Sequence, residues 1–104
     1  MDLAIIDGIE TQTAASGASL DAGSTRKIRL VNPGILLASR NPVCADAAAA
    51  AAMGFDPMAA RGTPPFESCD STLEMAEQAG IGARDLRTIE VRGASIAEVR
   101  TSFR

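Results

Sequence analysis

The sequence predicts a small α/β domain, a two-layer or three-layer structure in which about three helices cover three to four mainly parallel strands. Two observations carry this prediction. The runs Leu3–Ile6 and Ile35–Ala38 are continuously apolar, which is typical of strands buried on both faces of a helix-covered parallel sheet. The second run leads through a short turn into a helical sequence, and a strand followed by a helix is half of a β–α–β unit.

The helix in question is predicted over about residues 42–53 and contains six consecutive alanines, Ala47–Ala52. Asn41 before Pro42 is a strong helix start, because the Asn side chain caps free N–H groups and Pro suits the first helical position. Alanine has the highest helix propensity, and Gly54 stands where a left-handed residue ends a helix.

Two further helices are predicted by capping boxes, in which a Ser is followed three residues later by a Glu. Ser71 with Glu74 and Ser95 with Glu98 have this spacing. Ile28–Val31 is predicted to be a short edge strand, and alternation around Ile89 and Val91 predicts a half-buried strand. Residues 10–26 are rich in Gly, Ser, Thr and Ala without periodicity and are predicted to be a mobile connection.

The length of 104 residues predicts a single domain, residues 1–104. Because the chain starts directly on a core strand, we expect a C-terminal fragment of a longer protein. The net charge is −3 and no basic cluster exceeds Arg26–Lys27, which argues against a nucleic-acid partner. No apolar stretch approaches the ~20 residues of a membrane span, and no signal peptide is recognisable. A cytoplasmic location is favoured, and export of the full-length protein stays open.

The chain contains no His and two thiols, Cys44 and Cys69. A structural zinc site or an iron–sulfur cluster normally needs four such ligands, so no metal or cofactor is expected in this chain. Cys44 lies at a helix start and is a candidate nucleophile, but no His is available as its base, which favours a small packing thiol. A disulfide between the two is an open alternative to free thiols.

Four residues are candidates for a ligand site. Asp7 ends a strand where open α/β sheets bind ligands, although it could simply cap the turn with Gly8. Asn41 lies at a helix N-terminus that favours an anion, although every such helix has one. Asp46, near the same start, either joins the site or only stabilises the helix dipole. Asp70 either forms the lip of a site with Asp7 or belongs to a helix cap. On parallel strands, Asp7, Asn41 and Asp46 would converge at one sheet edge.

The arginines of the C-terminal part are scattered and are predicted to form a solvated face. They are Arg84, Arg87, Arg92, Arg100 and Arg104.

The order of several motifs resembles the domain-of-unknown-function family 362. The matching segments are Leu3–Ile9, Gly34–Val43, Asp46–Ala47, Met53–Pro57, Asp85–Gly93 and Ile96–Phe103. The resemblance implies a bacterial or archaeal family whose members are sometimes fused to ferredoxin-type iron–sulfur modules. It covers the C-terminal part of a family member and so implies a missing N-terminal part, and it leaves open an iron–sulfur cluster elsewhere in the full-length protein. The chain departs from the family at Glu10–Ala15, where relatives often have a Gly-rich loop, and at Cys44.

Two functions from different classes follow. The first is a non-catalytic or incomplete module that associates with the missing N-terminal part of its protein, or forms a homodimer through an exposed sheet edge. The alternative is part of a redox-associated, iron–sulfur-linked enzyme with an acidic or anion-binding site at the C-terminal edge of the sheet. No nucleophile–base pair is recognisable, so the catalytic residues and the reaction type stay unknown and enzyme status is open.

Overall fold

The computed structural model describes residues 2–14 and 28–103. Along these residues the elements are four short strands, three α-helices and one 3-10 turn, in the order β1 Ala4–Gly8, β2 Thr11–Ala14, β3 Ile28–Val31, β4 Ile35–Ser39, α1 Pro42–Ala52, α2 Thr72–Gln78, the 3-10 turn Leu86–Thr88 and α3 Ile96–Val99. Of the predicted connection 10–26, residues 11–14 form a strand, and residues 15–26 lie outside the described residues.

The strands pair antiparallel, so the prediction of a mainly parallel sheet is wrong. β1 pairs with β4, with Ala4 opposite Ser39 and Gly8 opposite Ile35, and β2 pairs with β3. The apolar runs misled the prediction because they do not reveal whether a strand is covered on one face or on two. In both β1 and β4 half-buried residues alternate with exposed ones, so each strand has only one covered face.

The two strand pairs form one hairpin that is interrupted by a bulge. Between the ladders, two residues, Ile9 and Glu10, face the three residues Asn32–Gly34. The Gly34 N–H donates to the Ile9 carbonyl at 3.2 Å, and Gly34 has a left-handed φ of 70°. Such a bulge suits this sequence, since Pro33 has no N–H for a ladder and Gly tolerates positive φ. Residues Asn32–Gly34 therefore form a kink inside a hairpin.

Helix α1 lies at the centre of the molecule, where the sequence predicts it. Its alanines let neighbouring elements approach closely, and it packs against β1, β4, α2 and α3. The buried residues of α1 are Val43, Ala45, Ala47, Ala48, Ala51 and Ala52. The core cluster joins Val43 and Ala47 to Ala59, Phe66 and Leu73. At 11 residues α1 is the longest described helix, and no helix in this part of the chain is long and apolar enough to span a bilayer.

The Ser caps of both predicted capping boxes are confirmed at the N-termini of α2 and α3. Ser71 Oγ accepts from the Glu74 N–H at 3.1 Å, and Ser95 Oγ accepts from the Glu98 N–H at 3.2 Å. The prediction of a strand around Ile89 and Val91 is wrong, because residues 89–92 pair with no described strand. Alternation predicts two faces of an extended segment, but it does not predict a hydrogen-bonding partner.

Candidate functional site

Asp7 lies on the exposed face of β1, opposite Leu36. Its Oδ1 accepts from the Ile9 N–H at 3.1 Å. The carboxylate therefore holds the chain as it leaves β1, the local capping role that was the alternative to a ligand site.

Asn41 is the N-cap of α1, and all its side-chain polar atoms contact the protein itself. Its Oδ1 accepts from the N–H groups of Val43 at 3.0 Å and Cys44 at 3.1 Å. Its Nδ2 donates to the Ile81 carbonyl at 2.8 Å. Since Asn41 occupies two of the N–H groups that a helix start leaves unpaired, these are not available to an anion.

The loop after α2 closes over this cap. A Cβ placed on Gly82 would lie 2.7 Å from Val43 Cβ and would collide with the Asn41 side-chain amide. Position 82 therefore requires a glycine, because a larger side chain would collide with Asn41 and Val43. The sequence prediction missed this contact, and its only local signal is the pair of glycines flanking Ile81.

The two remaining candidates are on the surface. Asp46 is exposed and follows the first turn of α1, which contains no acidic residue. Asp70 forms an ion pair with Arg61 at 3.2 Å, with side chains 68% and 63% exposed. A pair this exposed contributes little to stability.

Antiparallel pairing does not bring Asp7 and Asn41 together. Asp7 is level with Leu36, whereas Ser39, two residues before Asn41, is level with Ala4. Three residues separate these levels on β1, which is about 10 Å at ~3.4 Å per residue. The expected convergence depended on parallel strands whose carboxyl ends share one edge.

The perturbed carboxylates lie elsewhere, in the segment after α2. Glu77 Oε2 accepts from the Arg84 N–H at 2.9 Å and Oε1 accepts from Arg84 Nε at 3.3 Å, and these bonds lower the pKa of Glu77. Hydrogen bonds from Arg87 lower the pKa of Asp85 to about 2. The Arg84 side chain is only 12% exposed and also donates to the Met58 carbonyl, so its assignment to a solvated face is wrong.

Arg87 and Arg92 are exposed as predicted, each in an ion pair with a nearby acid. Arg100 is exposed as well, and Arg104 lies outside the described residues. These ion pairs join residues two positions apart in the chain, and the described arginines do not form a concentrated positive patch.

Neither Cys is in a disulfide. Cys44 is half-buried in the first turn of α1, and Cys69 is exposed. Within residues 2–14 and 28–103, no three His, Cys, Asp or Glu side chains are grouped so that they could hold a metal ion.

A cavity of about 440 Å³ lies along β4, and we call it the edge groove. Its floor is Ala45, Ala48 and Ala52 of α1, and its far side is the extended segment 89–92. A smaller apolar cavity of about 240 Å³ lies under the hairpin, beside Met53 and Phe103. The sequence prediction missed the edge groove, because its two sides are some fifty residues apart.

The solvent side of the hairpin is apolar, and we call it the outer face. It consists of Ile5, Leu36 and Ala38, with Leu3 just before β1. Ile5 is 64% exposed and Leu36 67%. Ile5 and Ala38 are direct cross-strand neighbours, so these side chains form a continuous apolar strip. Asp7, opposite Leu36, is the one charged residue of β1 beside this strip.

The fold defines a small domain of mixed helix and strand, built from a bulged antiparallel hairpin on an Ala-rich helix. A comparison with models of protein families, with curated proteins and with solved structures finds no match for this chain. The resemblance to the unknown-function family 362 stays a prediction.

Proposed function

We propose that this domain is a non-catalytic association module, which covers the outer face of its hairpin with a second copy of the chain. The predicted contact through an exposed sheet edge remains compatible with this arrangement, since β1 has one edge unpaired among the described residues.

The observation that carries the proposal is the exposure of large apolar side chains on a two-stranded sheet. Ile5 and Leu36 expose about two thirds of their surface at one place. An isolated two-stranded hairpin is marginally stable, and an apolar strip on it gains free energy when another surface covers it.

The polar candidates support the same conclusion. Asp7, Asn41 and Asp70 each use their side-chain oxygens on groups of the chain itself. The redox-associated alternative rests on the family resemblance, and the geometry adds no observation in its favour.

The outer face has few residues, whereas a stable interface buries roughly 800 Å² on each partner. We therefore expect a weak dimer, with a dissociation constant on the order of 10–1,000 μM. Sedimentation velocity across this range would show the weight-average mass rising from monomer toward dimer.

Ile5→Lys tests the contact, because a Lys on the strip places two like charges at a symmetric interface. Met75→Lys is the matched control, since Met75 is 58% exposed on α2, away from the hairpin. We expect Ile5→Lys to remain monomeric and Met75→Lys to dimerise like the wild type. A wild type that stays monomeric throughout, or equal dimerisation by Ile5→Lys, would overturn the proposal.

A further inference from the structure

The edge of β4 that faces the groove carries unpaired backbone groups. The hydrogen bond from Gly34 N–H to the Ile9 carbonyl marks that pair as a hydrogen-bonded one. Antiparallel ladders alternate, so Leu36 and Ala38 point their N–H and C=O groups toward β1. Ile35, Leu37 and Ser39 then point theirs away from β1, and no described residue outside the β1 ladder pairs with them.

The edge groove has the shape of a site for one strand. Its long side is the consecutive backbone Gly34–Ser39, and its opposite side is Glu90–Arg92. The volume of about 440 Å³ is typical of cavities that enclose a ligand. The alanine floor leaves room for medium-sized side chains, and the five residues of β4 offer about 17 Å of edge.

The groove lining favours an uncharged occupant. Its two charged residues, Glu90 and Arg92, form an ion pair with each other at 3.0 Å. The remaining lining is mainly Ala, Ile, Leu and Val. A charged side chain pointing at the alanine floor would lose hydration without gaining a partner, which is costly.

We propose that the edge groove binds an extended, uncharged apolar peptide segment of another polypeptide, which adds as a strand to the free edge of β4. Backbone hydrogen bonds to Ile35, Leu37 and Ser39 give the affinity, and every second side chain enters the groove, as in other strand-addition complexes. This binding is separate from self-association through the outer face.

The test uses a capped seven-residue peptide of alternating Val and Thr, titrated into the ¹⁵N-labelled protein. We expect saturable shifts of the amide signals of Ile35, Leu37 and Ser39. The matched peptide control has alternate amides N-methylated, which keeps the side chains but removes donors, and it should bind at least about tenfold more weakly. Equal binding of the two peptides, or no binding at ~1 mM, would overturn the proposal.

Two protein variants locate the site. Ala94 is exposed and lines the groove, whereas Ala97 is exposed three residues later and does not line it. Ala94→Phe should weaken binding about tenfold and Ala97→Phe should leave it unchanged. Ile5→Lys should also bind normally, so loss of dimerisation and loss of peptide binding are distinguishable. Slow hydrogen exchange at Ile35, Leu37 and Ser39 in the monomeric Ile5→Lys protein would show an edge already paired and would contradict the proposal.

Discussion

Gly82→Ala is the strongest test of the contact between the loop after α2 and the N-terminus of α1. The added methyl group would lie 2.7 Å from Val43 Cβ, where two carbon atoms normally approach no closer than about 3.5 Å. It would also collide with the side-chain amide of Asn41. Because Val43 belongs to the core cluster, the new methyl group can be accommodated only if the loop moves away.

The expected cost has two parts. Overpacking of this kind costs about 1–3 kcal/mol. Displacement of the loop breaks the hydrogen bond from Asn41 Nδ2 to the Ile81 carbonyl, worth about 1 kcal/mol. We therefore expect Gly82→Ala to lower the free energy of unfolding by about 2–4 kcal/mol.

Urea unfolding followed by circular dichroism measures this loss. Gly80→Ala is the matched control, because Gly80 has a φ of 76° but open space around its Cβ position. It should cost only about 1 kcal/mol, from the left-handed backbone alone. Asn41→Ala should cost less in the Gly82→Ala background than in the wild type, since the bond from Asn41 Nδ2 to the Ile81 carbonyl is already broken there. A Gly82→Ala loss no greater than that of Gly80→Ala would refute the reasoning.

Three further outcomes follow from single contacts. Ser71→Ala removes the acceptor for the Glu74 N–H and should lower the free energy of unfolding by about 1 kcal/mol in urea titrations, with Ser71→Asp largely preserving it. Phe66→Ala empties part of the core and should cost about 3 kcal/mol by the same measurement, and a loss below 1 kcal/mol would contradict the packing. Arg87 lowers the pKa of Asp85 from 3.8 to about 2, so this carboxylate stabilises the fold above pH 3.8 and the stabilisation disappears as the pH falls through 2. Thermal unfolding of Asp85→Asn should therefore be less pH-dependent between pH 4 and 2 than that of the wild type, and identical slopes would refute the coupling.

The features that the sequence predicts correctly are local. Asn41 with Pro42, and Ser71 with Glu74, specify helix starts through contacts within four residues, and the structure contains both caps. The strand positions of Ile28–Val31 and Ile35–Ser39 also follow from short apolar runs.

Strand direction could not be predicted, because it depends on contacts between distant parts of the chain. The runs in β1 and β4 suit a parallel sheet, but their exposed residues Ile5 and Leu36 belong to an uncovered face. The kink at Pro33 and Gly34 is what continues β3 into β4 within one hairpin.

The predicted convergence of Asp7, Asn41 and Asp46 in one site depended on parallel strand direction. Asn41 was predicted to be a cap, and the structure adds that the Ile81 carbonyl and Gly82 enclose it from forty residues away. The edge groove likewise joins β4 to residues 89–92, which alternate like a strand but lie across a gap from the sheet. No local pattern specifies either contact.

The most direct test of association through the outer face is solvent accessibility of methyl groups at two protein concentrations. A soluble paramagnetic agent broadens exposed methyl signals, and Ile5, Leu36 and Met75 are all more than half exposed in the single chain. We predict that the signals of Ile5 and Leu36 become protected as the concentration rises about a hundredfold through the dissociation constant, while Met75 stays accessible. Equal accessibility of all three at both concentrations would contradict the account.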